Sequence, residues 1–241
     1  MRLDVSVFSR GLATSRTEAK ALVTEGAVLI NGKVVTKPSY EVGGDDEVAL
    51  SSNSKRFVSR GGLKLEAALK HFNVNPHDRL AIDIGASSGG FTDCLLLYGA
   101  KHVLAVDSGS SQLKESLRLD GRVTSVENYN ARYMKPDDFD YTPTLAVMDV
   151  SFISATYIIP AVMSVLSTGG DFICLIKPQF EVGRSGLGKG GIVRDKAIRD
   201  EAVSRVVDFA ISVGFEFLGL ITSPILGGDG NTEFLAHFKK R

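Results

Sequence analysis

The sequence has no tryptophan, only two cysteines and four histidines, and its 28 basic residues are cancelled by 28 acidic ones. Cys94 and Cys174 lack metal-ligand spacing, which leaves a reduced cytosolic protein as the expectation. His71, His77, His102 and His237 are scattered, so no metal site is expected. Zero net charge excludes a global attraction to nucleic acid. Any RNA partner has to meet a local basic patch.

Long apolar runs are missing as well. Residues 1–13 are interrupted by Arg2, Asp4 and Arg10, unlike a secretory signal. The charge-free stretch 150–170 contains Pro160 and the hydroxyls of Ser151, Ser154, Thr156, Ser164, Ser167 and Thr168. It reads as a strand end, a helix near 154–167 and a Gly169-Gly170 turn. That helix falls well under the roughly 20 residues a bilayer needs, so no membrane partner is expected. What is present, 44% hydrophobic and 23% charged residues, is the composition of a soluble α/β protein.

Residues 1–50 read as a compact module. Ser15-Arg16-Thr17-Glu18 has capping-box spacing and predicts a helix to about Thr24, closed by Gly26. Val28-Leu29-Ile30, Asn31-Gly32 and Lys33-Val34-Val35 predict a hairpin, because Asn-Gly accepts both positive φ values of a type I′ turn. Residues 51–60 form a linker, polar at first and then basic: Lys55, Arg56, Arg60 and Lys64 place four positive charges together with no acid among them. A solvated hinge and an RNA contact fit this run equally. Arg2, Arg10, Arg16, Lys20, Lys33 and Lys37 oppose Asp4, Glu18 and Glu25 in the first 40 residues. With Lys55, Arg56 and Arg60 they are the candidate RNA-binding residues.

Residues 61–241 alternate helix and strand. Leu65, Ala68, Leu69 and Phe72 mark a helix ahead of the first strand. Strands are expected at 80–84, 102–107, 123–127, 144–149, 171–177, 216–222 and 233–238, with a helix over 196–213 ending at Gly214. Short apolar strands separated by helices predict a parallel, doubly covered sheet of the α/β Rossmann-like class.

The first strand runs into Asp83-Ile84-Gly85-Ala86-Ser87-Ser88-Gly89-Gly90-Phe91-Thr92. A dinucleotide fingerprint starting at Gly85 needs a glycine at 87, where the backbone approaches a pyrophosphate. Ser87 there argues for a ligand without phosphates. Asp107 ends the second strand, where a carboxylate can take both hydroxyls of a ribose. An acid, a glycine turn and a ribose-binding acid together resemble the S-adenosylmethionine-binding methyltransferases. Asp83, Gly85, Ser87, Gly89, Gly90, Phe91, Asp107 and Asp149 are the candidate cofactor residues. Asn128 and Asn130, after the third strand, either reach the adenine or serve the loop alone. Asp149 and Lys177 end neighbouring strands and meet in one crevice, as a catalytic or a merely structural ion pair.

Val58-Ser59-Arg60-Gly61-Gly62-Leu63-Lys64-Leu65, the 83–92 turn, Asp149-Val150-Ser151-Phe152-Ile153-Ser154, Lys177-Pro178-Gln179-Phe180-Glu181 and Gly230-Asn231-Thr232-Glu233-Phe234 occur in this order. Together they resemble the TlyA family of ribosomal RNA 2′-O-methyltransferases, historically labelled hemolysin A. The resemblance covers nearly the whole chain. It implies an FtsJ-type catalytic domain using S-adenosylmethionine, an N-terminal S-four RNA-binding fold over 1–50, cytidine ribose as target, and ribosomal RNA or ribosomal subunits as partners in the cytoplasm. By motif match, the FtsJ Lys-Asp-Lys-Glu tetrad falls on Lys64, Asp149, Lys177 and Glu233. A lysine can stabilise the alkoxide that develops on a ribose hydroxyl. That role is expected of Lys177, with Asp149 and Glu233 orienting it and Lys64 adding positive potential. Residues 108–112 and 224–230 depart from the family pattern, the first within the expected adenosine pocket. The glycine-rich run 181–192, with Arg184 and Lys189, is either a flap over the substrate or a surface loop. Two other readings stay open: an RNA-binding or ribosome-assembly factor with a degenerate methyltransferase domain, and a hemolysin.

Overall fold

The computed structural model describes all residues except 14, 25, 52–55, 184–185 and 229. Lys55, most of the polar linker and Arg184 therefore lie outside the described residues. The chain forms two compact units, Met1–Arg60 and Gly61–Arg241.

In the first unit α1 (Leu3–Ser9) and α2 (Arg16–Thr24) pack on a three-stranded antiparallel sheet of order β2-β1-β3. Its strands are β1 (Val28–Ile30), β2 (Lys33–Val34) and β3 (Val48–Leu50). Ser15 Oγ accepts the Glu18 N–H at 3.1 Å, as the capping spacing predicts, and Gly26 closes the helix at φ +63°. Asn31 and Gly32 take φ +49° and +77° at the tip of the hairpin. Leu3, Val7, Ala19, Val23, Val28, Ile30, Val42 and Val48 make the core.

The second unit begins with α3 (Gly61–Phe72), then β4 (Leu80–Ile84), α4 (Gly90–Leu97), β5 (His102–Val106), α5 (Glu115–Arg118) and β6 (Val123–Val126). It continues through β7 (Leu145–Met148), α6 (Ile159–Val165), β8 (Asp171–Ile176), α7 (Pro178–Glu181), α8 (Lys196–Val213), β9 (Phe215–Thr222) and β10 (Phe234–Lys240). The helix expected near 154–167 is split into a 3-10 turn at Ala155–Tyr157 and α6. Pro160 sits in the first turn of α6, where its missing N–H leaves no intrahelical bond unmade.

The sheet order is β6-β5-β4-β7-β8-β10-β9. Strands β4 to β8 are parallel, but β10 is antiparallel to both β8 and β9. This differs from the all-parallel expectation. A parallel return needs a crossover of a dozen or more residues, usually helical, and the non-helical connection 223–233 instead lets β10 turn back between its neighbours. From β4 the chain steps outward to β5 and β6, then returns to β7 on the other side of β4. The carboxyl ends of β4 and β7 thus flank the switch point, where an α/β sheet binds ligands. Among the described residues, no helix is long and apolar enough to cross a membrane, and no group of three or more His, Cys, Asp or Glu could hold a metal.

Candidate active site

A cleft of about 450 Å³ opens at that switch point, lined by Gly85, Ser87, Asp107, Gln112, Tyr129, Asn130, Asp149, Ser151 and Phe152 among others. Gly85 sits at φ +82°, and a Cβ there would lie 2.5 Å from the Asp149 carbonyl oxygen. Glycine is required on both counts. The turn aims the Ser87 N–H at Asp107 Oδ2 (2.8 Å), while the Gly109 N–H donates to Oδ1 (2.7 Å). The Asp107 carboxylate is thereby fixed in orientation, and each oxygen retains acceptor capacity for a ribose hydroxyl.

Beneath the turn Asp83 is wholly buried. Thr92 Oγ1 donates to its Oδ2 at 2.7 Å, and Oδ1 has no partner. Burial pushes this carboxyl up to about 7; the Thr92 hydrogen bond opposes the shift, and the charge of Asp149 adds to it. Gly89 lies at φ +95°, and with Gly90 and Phe91 it shapes the start of α4 outside the cleft lining. Asn128 is not part of the cleft either. Its left-handed backbone, φ +54°, places it in a neighbouring groove beside Arg132 and Tyr133, while Tyr129 and Asn130 line the cleft.

Lys177 follows directly on β8, and Pro178 comes after it. Proline holds the preceding residue extended, here at φ −112° and ψ 99°, and opens α7. Lys177 Nζ lies 2.6 Å from Asp149 Oδ1, an ionic contact without hydrogen-bond geometry, and donates to Ser151 Oγ at 2.7 Å. It also sits 5.9 Å from the centre of the Phe180 ring. Asp149 and Ser151 line the cleft, so they carry the influence of Lys177 to it.

The second pair departs from expectation. Glu233 does not orient Lys177; its Oε2 accepts from Lys64 Nζ at 2.5 Å, and both side chains are buried. The antiparallel register pairs Phe234 with Ile176, which brings Glu233 to the level of Lys177. Lys64, on the first turn of α3, is buried and would be left uncompensated without Glu233. Lys177 already has Asp149 and Ser151. The tetrad is therefore two pairs, Lys177–Asp149 and Lys64–Glu233.

Three further residues support the site, and periodicity could not single them out. Glu181 is buried and accepts from Ser154 Oγ (2.5 Å) and the Ala155 N–H (2.8 Å), clamping the end of the loop that begins at Asp149. Burial raises its carboxyl above the usual range, and the two hydrogen bonds oppose that. Phe152 is 91% exposed at φ +64° and packs its ring 5.2 Å from Phe180. Asn231 accepts the Val193 N–H (2.9 Å) and donates to the Gly191 carbonyl (3.1 Å), pinning the end of the glycine-rich run to the β9–β10 connection. The motifs around Asp149, Lys177 and Gly230 contain all three.

In the first unit, Lys20, Lys33, Lys37 and Arg56 are exposed. Arg2 is held by Asp4 at 2.9 Å, and Arg16 approaches the same carboxylate at 3.8 Å. The Arg2 guanidinium keeps the Asp4 carboxyl below the usual carboxylate range. Arg10 donates to the Asp46 carbonyl. Arg60 lies against Gly26, whose absent Cβ would meet its Nη1 at 2.4 Å. Part of the expected basic surface is thus occupied within the unit.

A carboxylate held by two backbone N–H groups in a switch-point cleft, with the Lys177–Asp149 pair beside it, is an arrangement that an α/β domain can use to hold a nucleoside-bearing ligand. Residues 57–240 match the family described as FtsJ-like methyltransferase, and residues 1–48 match the S4 domain. The chain is 47% identical to "Putative rRNA methyltransferase YqxC" of Bacillus subtilis, over 98% of this chain and 84% of that protein. It is 41% identical to the 16S/23S rRNA (cytidine-2'-O)-methyltransferase TlyA of Mycobacterium tuberculosis, over 97% and 87%. A solved structure, "Putative hemolysin from Streptococcus thermophilus", is similar at TM-score 0.80 and 48% identity, covering 100% of this chain and 88% of that one. The chain belongs to the FtsJ-like methyltransferase family and carries an S4 domain ahead of the catalytic one.

Proposed function

We propose that this enzyme methylates a ribose 2′-hydroxyl, on a cytidine of ribosomal RNA, with S-adenosylmethionine as donor and in the cytoplasm. The observation that carries the reading is Lys177, held by Asp149 and Ser151 beside a cleft whose other wall presents Asp107. The names of the relatives supply the substrate class. The residues fit the cofactor. Asp107 is set to take the ribose hydroxyls, the turn at Gly85 and Ser87 leaves no glycine-lined path for a pyrophosphate, and the cleft volume lies in the range of small-molecule sites. When bound, the cofactor supplies a methyl group on a positively charged sulfur.

The chain's own residues then act on the nucleophile. As the hydroxyl oxygen takes the methyl and its proton leaves to solvent, Lys177 Nζ lowers the energy of the developing alkoxide by its charge and a hydrogen bond, and Asp149 keeps the ammonium in place. Lys64, neutralised by Glu233, ties α3 to β10 and holds that edge of the site. The S4 domain grips RNA phosphates through its exposed lysines and arginines. Incubating the purified chain with labelled S-adenosylmethionine and unmodified ribosomal subunits, then mapping 2′-O-methyl groups by primer extension, tests the reading. Label on no cytidine ribose would overturn it.

A further inference from the structure

An ammonium has three N–H donors, so holding it by Asp149 alone leaves it free to turn about that contact. Lys177 is held at more than one point. Nζ faces Asp149 Oδ1 at 2.6 Å in an ionic contact, one N–H donates to Ser151 Oγ at 2.7 Å, and the Phe180 ring lies 5.9 Å away. The Ser151 hydrogen bond uses one N–H and thereby sets the rotation of the other two, one of which can meet an incoming oxygen. Ser151 lies two residues beyond Asp149 in the same loop, and Glu181 clamps that loop at Ser154 and Ala155. The loop that carries Ser151 is thus held at Ser154 and Ala155, and Ser151 lines the cleft and is exposed enough to accept a small substitution.

We propose that Ser151 is a positioning residue for methyl transfer: its hydroxyl sets the rotation of the Lys177 ammonium so that a remaining N–H meets the ribose 2′-oxygen. The proposal rests on the functional reading above. Its chemistry is an alignment effect, with no bond made or broken at Ser151. A misdirected donor loses rate while leaving ground-state binding intact.

The test is single-turnover methylation by the full chain at saturating cofactor and RNA, for Ser151→Ala, Ser151→Thr, Lys177→Ala and the Ser151→Ala/Lys177→Ala double variant. Ser151→Ala is expected to slow methyl transfer by about tenfold to a hundredfold, with dissociation constants for cofactor and RNA unchanged. Ser151→Thr, which keeps the hydroxyl, is expected to restore most of the rate. In the Lys177→Ala background Ser151→Ala is expected to cause no further loss, because a residue that acts through Lys177 has nothing left to position. The Lys177 ammonium signal, followed by nitrogen NMR in the cofactor-free chain, is expected to broaden in Ser151→Ala and return in Ser151→Thr. A near wild-type rate in Ser151→Ala, or losses that add in the double variant, would overturn the proposal while wild-type methylation left the functional reading standing. Absence of methylation by the wild type would overturn that reading, and an unchanged ammonium signal in Ser151→Ala would then reject the positioning contact by itself.

Discussion

Replacing Asp83 by asparagine should change the pH dependence of folding in a calculable way. Burial raises the carboxyl from 3.8 to about 7. Between those values the unfolded chain releases a proton that the folded protein keeps, so stability falls as pH rises through the window. The loss is complete above the folded value. At 1.36 kcal/mol per pKa unit, the full loss is on the order of 4 kcal/mol by pH 8. Asparagine removes the titration and still accepts the Thr92 hydroxyl through its side-chain carbonyl. Its amide nitrogen takes the place of the unpartnered Oδ1, a buried donor without an acceptor, which costs about 1–3 kcal/mol. Near pH 5 the two effects roughly cancel. At pH 8 the variant should be the more stable, by about 1–3 kcal/mol, and should melt several degrees higher. The assay is urea unfolding of wild type and variant without cofactor, every half unit from pH 5 to pH 8.5. The gap between them should widen by about 3 kcal/mol across the series. Stability curves that stay parallel would show that Asp83 titrates at its ordinary value and would refute the reasoning.

Lys177→Ala should lower the single-turnover rate by at least about a hundredfold while cofactor and RNA affinities hold, and Lys177→Arg should not restore it, since a planar guanidinium does not replace a compact ammonium. A folded Lys177→Ala enzyme of near wild-type rate would remove the centre of the mechanism. Asp107→Ala should weaken S-adenosylhomocysteine binding by about 1–3 kcal/mol in calorimetry, and tighter binding of a nicotinamide dinucleotide would contradict the cleft assignment. A chain starting at Gly61 should keep cofactor affinity and lose most RNA affinity, and wild-type RNA binding should fall steeply with salt; equal RNA binding by the truncated chain would clear the S4 domain of that role. Gly85→Ala should lower the melting temperature and cofactor affinity together, because its Cβ would meet the Asp149 carbonyl at 2.5 Å; an unaltered melt would show that the turn can yield.

Local features were legible in the sequence wherever one short segment determines them. Strand 80–84 and helix 196–213 match their expected limits, because each is an uninterrupted apolar or amphipathic period closed by a turn residue. Asn31-Gly32 and Gly214 behave as their backbone freedom requires. What was not legible depends on which distant segments meet. The direction of β10 follows from its connection and its insertion between β8 and β9, which no local period records. The partner of Glu233 lies 169 residues away, so motif matching could name the tetrad without dividing it into pairs. Ser151 and Glu181 stand out only through individual hydrogen bonds, one at Ser151 and two at Glu181, and hydroxyls and carboxylates carry no periodic signal. The sequence leaves open which way Asn128 faces, because a left-handed residue redirects one side chain without changing the pattern around it.

The placement of β10 also bears on how the protein is made. Strands β9 and β8 never touch in the sheet; β10 fills the position between them, although it is synthesised after both. While the chain is still tethered to the ribosome and has been translated only as far as Thr222, β8 has an open edge and β9 has no strand to pair with. In that nascent state Lys64 is already present and Glu233 does not yet exist, so the site holds a positive charge awaiting its counter-ion. Docking of β10 then closes the edge and neutralises Lys64 in a single event. An emerging chain of this enzyme is therefore exposed to edge-to-edge association until β10 is added, and the Lys64–Glu233 pair forms only when its sheet is complete.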